Sequence, residues 1–284
     1  MAVNWQYLTT APSLPTLYLR AATRRVITGR TLPDRGLRSW VTVNDQRLAA
    51  YRRVCGFPDN GPMPATYPHV LALPLQLQLL TAKDFPFPLP GLVHLSNRIR
   101  LLRPLGGPGN LRIGVQVRNL QPHARGATFD LLTQVDDALG PLWEAESRVL
   151  CRGVILDAKP PKKNKATSWP LLELSHWQVP ADIGRQYARV SGDYNPIHLT
   201  DLSARLFGFP RAIAHGLWNK ARILAALQAH LPSANIEIEV TFKRPVRLPG
   251  EVGLWASAPG ANGAFMLSGA KGLEHLRGVW QPIS

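Results

Sequence analysis

The sequence predicts an α+β protein made from one unit used twice, each copy wrapping antiparallel strands around a helix. Three observations predict it. Tyr51-Arg52-Arg53-Val54-Cys55-Gly56 is echoed by Tyr187-Ala188-Arg189-Val190-Ser191-Gly192 at an offset of 136, and Arg103-Pro104-Leu105-Gly106-Gly107-Pro108-Gly109 by Arg244-Pro245-Val246-Arg247-Leu248-Pro249-Gly250 at an offset of 141. Both pairs keep their order at nearly one offset, which implies a duplicated unit of roughly 140 residues, within ordinary domain size. The C-terminal half then runs from a buried helix into alternating strands, a pattern in which a curved sheet encloses the helix. Between the halves, 157–170 carries Lys159, Pro160, Pro161, Lys162, Lys163 and Lys165 and reads as an exposed linker.

Taken in chain order, the first copy spans 1–156. Residues 1–33 contain no acid and carry Arg20, Arg24, Arg25 and Arg30. An organelle leader is one reading of that composition, although Pro12 and Pro15 interrupt any amphipathic helix there. Val70 to Leu80 is expected to be the helix of this copy despite Pro74. Asn97 to Leu102, Leu111 to Val117 and Phe129 to Val135 are expected as its strands.

The second copy, 171–284, is patterned more clearly. Thr200 is placed as an N-cap before Leu202 and Leu206, one turn apart, with Gly208 as the stop. From Gly216 to His230 the chain is helix-forming and apolar on more than one face, which suits an enclosed helix, and Pro232 ends it. Ile236, Ile238, Val240 and Phe242 alternate with Glu237, Glu239, Thr241 and Lys243, the period of a half-buried strand. Pro249-Gly250 turns the chain into Val252–Trp255. Residues 258–263 turn it again into Phe265–Leu267, and a last strand covers Leu276 to Trp280.

The chemistry concentrates in Ser191-Gly192-Asp193-Tyr194-Asn195-Pro196-Ile197-His198. Pro196 pushes Asn195 toward extended backbone and is itself pre-set to open a helical turn. Asp193 and His198 can then converge from opposite sides of that turn. A carboxylate and a neutral imidazole around one water are equipment for adding water to an activated chain or removing it. The structural alternative is an Asx-type turn in which Asp193 and Asn195 only bond nearby backbone. After Gly56 the first copy reads Phe57-Pro58-Asp59-Asn60-Gly61-Pro62, so Phe57 stands opposite Asp193 and Pro62 opposite His198. A motif kept only for its turn has no reason to lose both groups together, although simple drift is also open. The first half therefore reads as structural and the second as catalytic.

Gly192-Asp193-x-Asn195-Pro196-x-His198, followed by Ala214-His215-Gly216 before an apolar helix, resembles the MaoC-like acyl dehydratases and R-specific (type 2) enoyl-CoA hydratases. The resemblance is specific from about Tyr187 to Leu227, architectural over most of the remainder and weak for the first forty residues. It implies the double hot-dog fold, with a degenerate N-terminal copy. It also implies reversible hydration of trans-2-enoyl thioesters to (3R)-3-hydroxyacyl thioesters, on coenzyme A or an acyl carrier protein, with Asp193 and His198 holding the water. The enolate formed in that reaction needs donors at the thioester oxygen. Gly216, at the start of the expected central helix, is the candidate, since N–H groups there are unpaired and its lack of a side chain permits close approach. Asn195 is expected to hold the turn or orient the pair. His215 reads as a neighbouring support or as a packing residue. Lys220, Arg222, Lys243 and Arg244 are candidate phosphate contacts. A degenerate first copy leaves space for a long or ring-bearing acyl tail.

Composition bounds the rest. The chain has 284 residues, 45% apolar, a formal charge of +15 and two cysteines, Cys55 and Cys151. No run approaches a membrane span. Two cysteines make no disulfide framework, so a reducing, cytoplasmic setting is the expectation. The positive charge raises nucleic acid as a partner, but no zinc spacing, helix-turn-helix or aromatic RNA-binding pattern accompanies it. Solubility, coenzyme A phosphates and an acidic carrier protein are its other readings. No metal site or cofactor is indicated, and a monomer or homodimer is expected. A non-catalytic thioester-binding subunit and a thioesterase are the competing functions; the intact Asp193 and His198 argue against both.

Overall fold

The computed structural model describes residues 3–10, 12–107, 109–156 and 169–283. The linker reading of 157–170 falls almost wholly outside the described residues. The chain divides into two compact units, Met1–Val43, Leu71–Asn97 and Gly109–Ala166 in one, Asn44–Val70, Arg98–Pro108 and Thr167–Ser284 in the other.

Eleven strands and six α-helices are described: β1 (Asn4–Tyr7), α1 (Leu14–Thr23), β2 (Arg35–Thr42), α2 (Asp45–Cys55), α3 (Tyr67–Leu80), β3 (Leu92–Leu101), β4 (Asn110–His123), β5 (Gly126–Asp137), β6 (Gly140–Arg152), β7 (Leu172–Val179), α4 (Ile183–Ser191), α5 (Asp201–Arg205), α6 (Gly216–Ala226), β8 (Ile236–Phe242), β9 (Gly250–Ala256), β10 (Gly263–Ser268) and β11 (Glu274–Pro282). The order strand, helix, helix, four strands occurs twice, from β2 to β6 and from β7 to β11, with α5 inserted in the second pass. Strand order repeats too: β2-β4-β5-β6-β3 in the first pass and β7-β9-β10-β11-β8 in the second.

In the first unit, β1 extends the sheet by pairing parallel to β2, while β2, β4, β5 and β6 pair antiparallel. From Leu71 onward, α3 is the enclosed helix: Ala72, Leu75 and Leu79 have no exposed surface. Gln76 donates to Thr133 Oγ1 at 2.9 Å, so its buried amide is not left unpaired. The helix runs through Pro74 as expected and begins earlier, at Tyr67.

In the second unit, α6 is the enclosed helix, burying Trp218, Ala221, Ile223 and Leu224. The sheet turns Ile236, Ile238, Val240, Val252, Leu254, Phe265, Leu267 and Trp280 inward. Burial of that many large side chains, at roughly 1.5–3 kcal/mol each, is the main force holding the unit together. Strand β8 has the bounds that its alternation predicted. Helix α6 stops at Ala226, short of the expected His230, because Leu227 leaves helical geometry. Thr200 does cap α5, accepting from Ser203 N–H at 3.1 Å, but Leu202 and Leu206 face outward, 74% and 80% exposed.

Candidate active site

Helix α4 sets the site's origin. It buries Ile183, Gly184, Tyr187, Ala188, Val190 and Ser191 on one face and ends at Gly192, left-handed with φ 83°. Only glycine adopts that conformation at little cost, so the chain can reverse there. Beyond Gly192, Asp193 N–H donates to Ser191 Oγ at 3.1 Å, Asn195 N–H to Asp193 Oδ1 at 3.2 Å and Ile197 N–H to Asn195 Oδ1 at 3.4 Å. Pro196 then opens a 3-10 turn over Pro196–His198. Asp193 and Asn195 thus make the Asx-type turn that was the alternative reading, and that turn is what carries His198 back toward Asp193.

Two contacts fix His198. Its Nδ1 donates to the Ile213 carbonyl at 2.7 Å, which leaves the Nε2 lone pair as the ring's acceptor. Gly184 packs its Cα against the His198 backbone so closely that any Cβ would collide with the His198 carbonyl oxygen. Gly184 was not singled out from the sequence, because a glycine inside a helix carries no local signal of what crosses it.

His215 stands nearer the centre than expected. It is the N-cap residue of α6 and only 2% exposed, and its Nε2 donates to the Asp193 carbonyl at 3.0 Å with Asp193 Oδ2 3.8 Å away. Its ring lies 3.6 Å from that of His198, with planes 27° apart, and the Tyr187 ring is 4.8 Å off on another side. The His215 Nδ1 and the Asn219 Oδ1, one helical turn on, are both buried without a hydrogen-bond partner.

Burial sets the charge state. It pushes His198 down to about 3, with His215 beside it adding to the effect against the pull of Asp193. Burial likewise pushes His215 down to about 3. Both imidazoles are therefore neutral near pH 7. The Asp193 side chain keeps 36% of its surface exposed, so the site offers a solvent-facing carboxylate beside two dry, neutral rings.

Asp193, His198 and His215 bring one donor atom each within 4.8 Å of the others, a spacing that a metal ion could use. The rings fit an ion poorly. In-plane lone pairs of nearly parallel rings run side by side, whereas an ion bound at about 2.1 Å needs them to converge. The arrangement is better suited to holding water and moving protons.

Gly216 is the first residue of α6, where N–H groups lack helical acceptors and His215 supplies no side-chain cap. The space its Cβ would take is not open: the Phe242 ring would be 2.9 Å away. Of the candidate phosphate contacts, Lys220 is wholly buried and donates to the Ile238 carbonyl at 3.1 Å, with burial pushing its ammonium well below the usual lysine range. It is out of reach of a surface phosphate. The Arg222 guanidinium stacks 4.8 Å over the Trp177 ring and lies against Gly56. Lys243 and Arg244 are exposed at the end of β8, their N–H groups bonded to the His275 carbonyl.

A helix wrapped by an antiparallel sheet, repeated with the same strand order, defines a double hot-dog protein, with the turn before α6 as its candidate site. The comparisons with known proteins agree on the fold. The family described as MaoC like domain matches residues 159–277. The 3-hydroxyacyl-thioester dehydratase X of Mycobacterium tuberculosis is 35% identical over 82% of this chain and 84% of its own. The crystal structure of HtdX from the same organism has a TM-score of 0.76 at 31% identity, covering 88% of this chain and all of that one. A further M. tuberculosis protein, described as having a double hotdog fold, matches in fold alone, with a TM-score of 0.56 at 13% identity over 93% of this chain and 97% of that one. The chain belongs to the MaoC-like dehydratase family.

Proposed function

We propose that the protein is a hydro-lyase that reversibly hydrates trans-2-enoyl thioesters to (3R)-3-hydroxyacyl thioesters through a water held by Asp193 and His198. The observation that carries this reading is the locked tautomer of His198: with Nδ1 committed to the Ile213 carbonyl, a neutral Nε2 acceptor is left beside the exposed Asp193 carboxylate. In hydration, the pair takes a proton from water as its oxygen bonds to C3. Negative charge moves through C2 onto the thioester oxygen, toward the unpaired N–H groups at the start of α6, with Gly216 foremost. C2 then takes up the proton. Dehydration reverses each step: a proton leaves C2 for the pair, and the C3 hydroxyl departs as water. No electrons change hands, so the reaction calls for no redox cofactor. Asn195 holds the turn, and His215 supports the stack from behind.

On the same reading, the copy from 1–156 is non-catalytic and that from 171–284 carries the chemistry, with the first copy's missing acid and imidazole leaving space for a bulky acyl tail. A sharp preference for four-carbon substrates would defeat that part. A cytoplasmic setting is in keeping with two free, buried cysteines. Among the described residues no helix is long and apolar enough to cross a membrane.

One assay separates the alternatives. The protein is incubated with crotonyl-, octenoyl- and larger enoyl-CoA while enoyl absorbance and free thiol are followed together. Loss of enoyl without thiol is the expected result. Thiol release would make it a thioesterase, and neither signal would make it a binding subunit.

A further inference from the structure

The α5 segment presents its large apolar side chains to solvent and packs only the small Ala204 inward, the reverse of a helix held by core packing. Leu202 and Leu206 are one turn apart and 74% and 80% exposed; Phe207 and Tyr194 are 37% and 45% exposed. Such a cluster, unlike a lone surface leucine, marks an interaction site. Its place is fixed against the active-site turn: Ser203 Oγ donates to the Pro196 carbonyl at 2.6 Å, and Arg185 Nη1 to the Leu199 carbonyl at 2.9 Å.

Basic side chains rim the segment. Arg185, Arg205 and Arg211 are exposed on and beside the segment. Arg205 bonds only the Pro210 carbonyl, and none of the three forms an ion pair with a carboxylate among the described residues. The one acid between 199 and 212 is Asp201, whose Oδ1 already accepts from Ala212 N–H at 2.8 Å. An apolar centre with an unpaired basic rim matches a partner with an acidic rim around apolar groups. A second copy of this chain, also at +15, would bring further positive charge rather than an acidic rim.

Resting on the hydro-lyase reading above, we infer that this face docks an acidic acyl carrier protein, so that the thioester reaches Asp193 and His198 on a protein-bound pantetheine arm. Free coenzyme A carries phosphates but nothing that calls for outward leucines beside the arginines. The face therefore distinguishes two carriers of one reacting group.

The test gives the full chain the same enoyl group on coenzyme A and on an isolated acidic carrier protein. Leu202→Ser with Leu206→Ser, and separately Arg205→Glu with Arg211→Glu, should each lower kcat/KM at least tenfold on the carrier and less than twofold on coenzyme A. Binding of the unacylated holo carrier protein, followed by fluorescence anisotropy, should weaken by the same factor and lose its salt dependence in the arginine variant. Equal losses on both substrates, or unchanged carrier binding, would overturn the inference. So would loss, in the leucine variant, of binding to anionic phospholipid vesicles or of a dimer in sedimentation while carrier turnover persists. If neither the coenzyme A nor the carrier-protein substrate is turned over, the hydro-lyase reading fails, and the anisotropy arm still decides whether the carrier docks here.

Discussion

Helices α2 and α4 begin as copies and end in different chemistry. Both close on a left-handed glycine, Gly56 at φ 76° and Gly192 at φ 83°. Their matched tyrosines, Tyr51 and Tyr187, meet with ring centroids 6.1 Å apart. The turns that follow are held from opposite sources. After α2, the buried Arg52 guanidinium donates to the carbonyls of Pro58, Asn60, Gly61 and Pro62. After α4, Ala188 occupies the matching position and has nothing to donate, and the turn is held by the side chains of Ser191, Asp193 and Asn195 accepting from backbone. One turn is tied to its helix by a cation. The other ties itself and leaves a carboxylate and an imidazole facing a common space.

The greatest expected effect breaks the second turn's chemistry and leaves its geometry. Asp193→Asn and His198→Ala should each cut kcat for enoyl-CoA hydration by about a thousandfold or more, the upper range for a positioned acid–base group. Far-ultraviolet circular dichroism and the melting temperature check that the fold persists. Wild-type turnover in both variants would sink the assignment of roles.

Position 184 sharpens the comparison. At the offset of 136 it matches Leu48, which is buried, yet Gly184 tolerates no Cβ against the His198 carbonyl. A large side chain is housed at one position and excluded at the other, where the His198 backbone passes. Gly184→Ala should displace His198 and lower kcat on the order of 100-fold, the usual result of an ångström-scale misplacement. Ser or Ala at position 48 should leave kcat within a few-fold. Steady-state kinetics with octenoyl-CoA would read both.

Much of this was legible in the residues alone. Strands β8, β9 and β11 and the helix before them follow from alternation, and β10, buried along nearly its whole length, from the Gly and Pro turn that precedes it. Strand β6 was not, since its inward positions include Ala145, Ser147 and Cys151, too small or polar to mark a period. Asp193 and His198 stood out through local spacing. His215 and Gly184 did not, because their roles arise where α6 and α4 cross the turn, and nothing in the neighbouring sequence encodes those crossings. Lys220 misled in the opposite way: lysine is normally a surface residue, and this one is wholly buried.

The neutral histidine pair predicts a distinctive response to acid. Both rings titrate near 6.5 when unfolded and are pushed down to about 3 when folded. Between those values the unfolded chain binds more protons, so stability is fully present above pH 6.5 and is lost as pH falls toward 3. Each histidine should remove about 1 kcal/mol per pH unit across that window. Urea unfolding at pH 7, 6 and 5 would show the slope, and His215→Gln should flatten it. The acid limb of kcat/KM should show no inflection at 6.5; one there would mean that the rings are solvated in the working enzyme.

The smallest effect on catalysis belongs to the first turn. Arg52→Ala removes four charge-assisted hydrogen bonds that tie the turn's carbonyls to α2. Several weak geometries and access of water to the loop limit the loss to about 2–3 kcal/mol of stability, measurable by urea denaturation. Turnover should stay within twofold, because Arg47 still donates to the Val190 carbonyl at 3.0 Å and Trp218 to the Val54 carbonyl at 3.0 Å, bonds that tie α2 to α4 and to α6. A large fall in kcat from so remote a truncation would mean that the arginine-held turn transmits order to Asp193, and the two turns would then be one functional device with two halves.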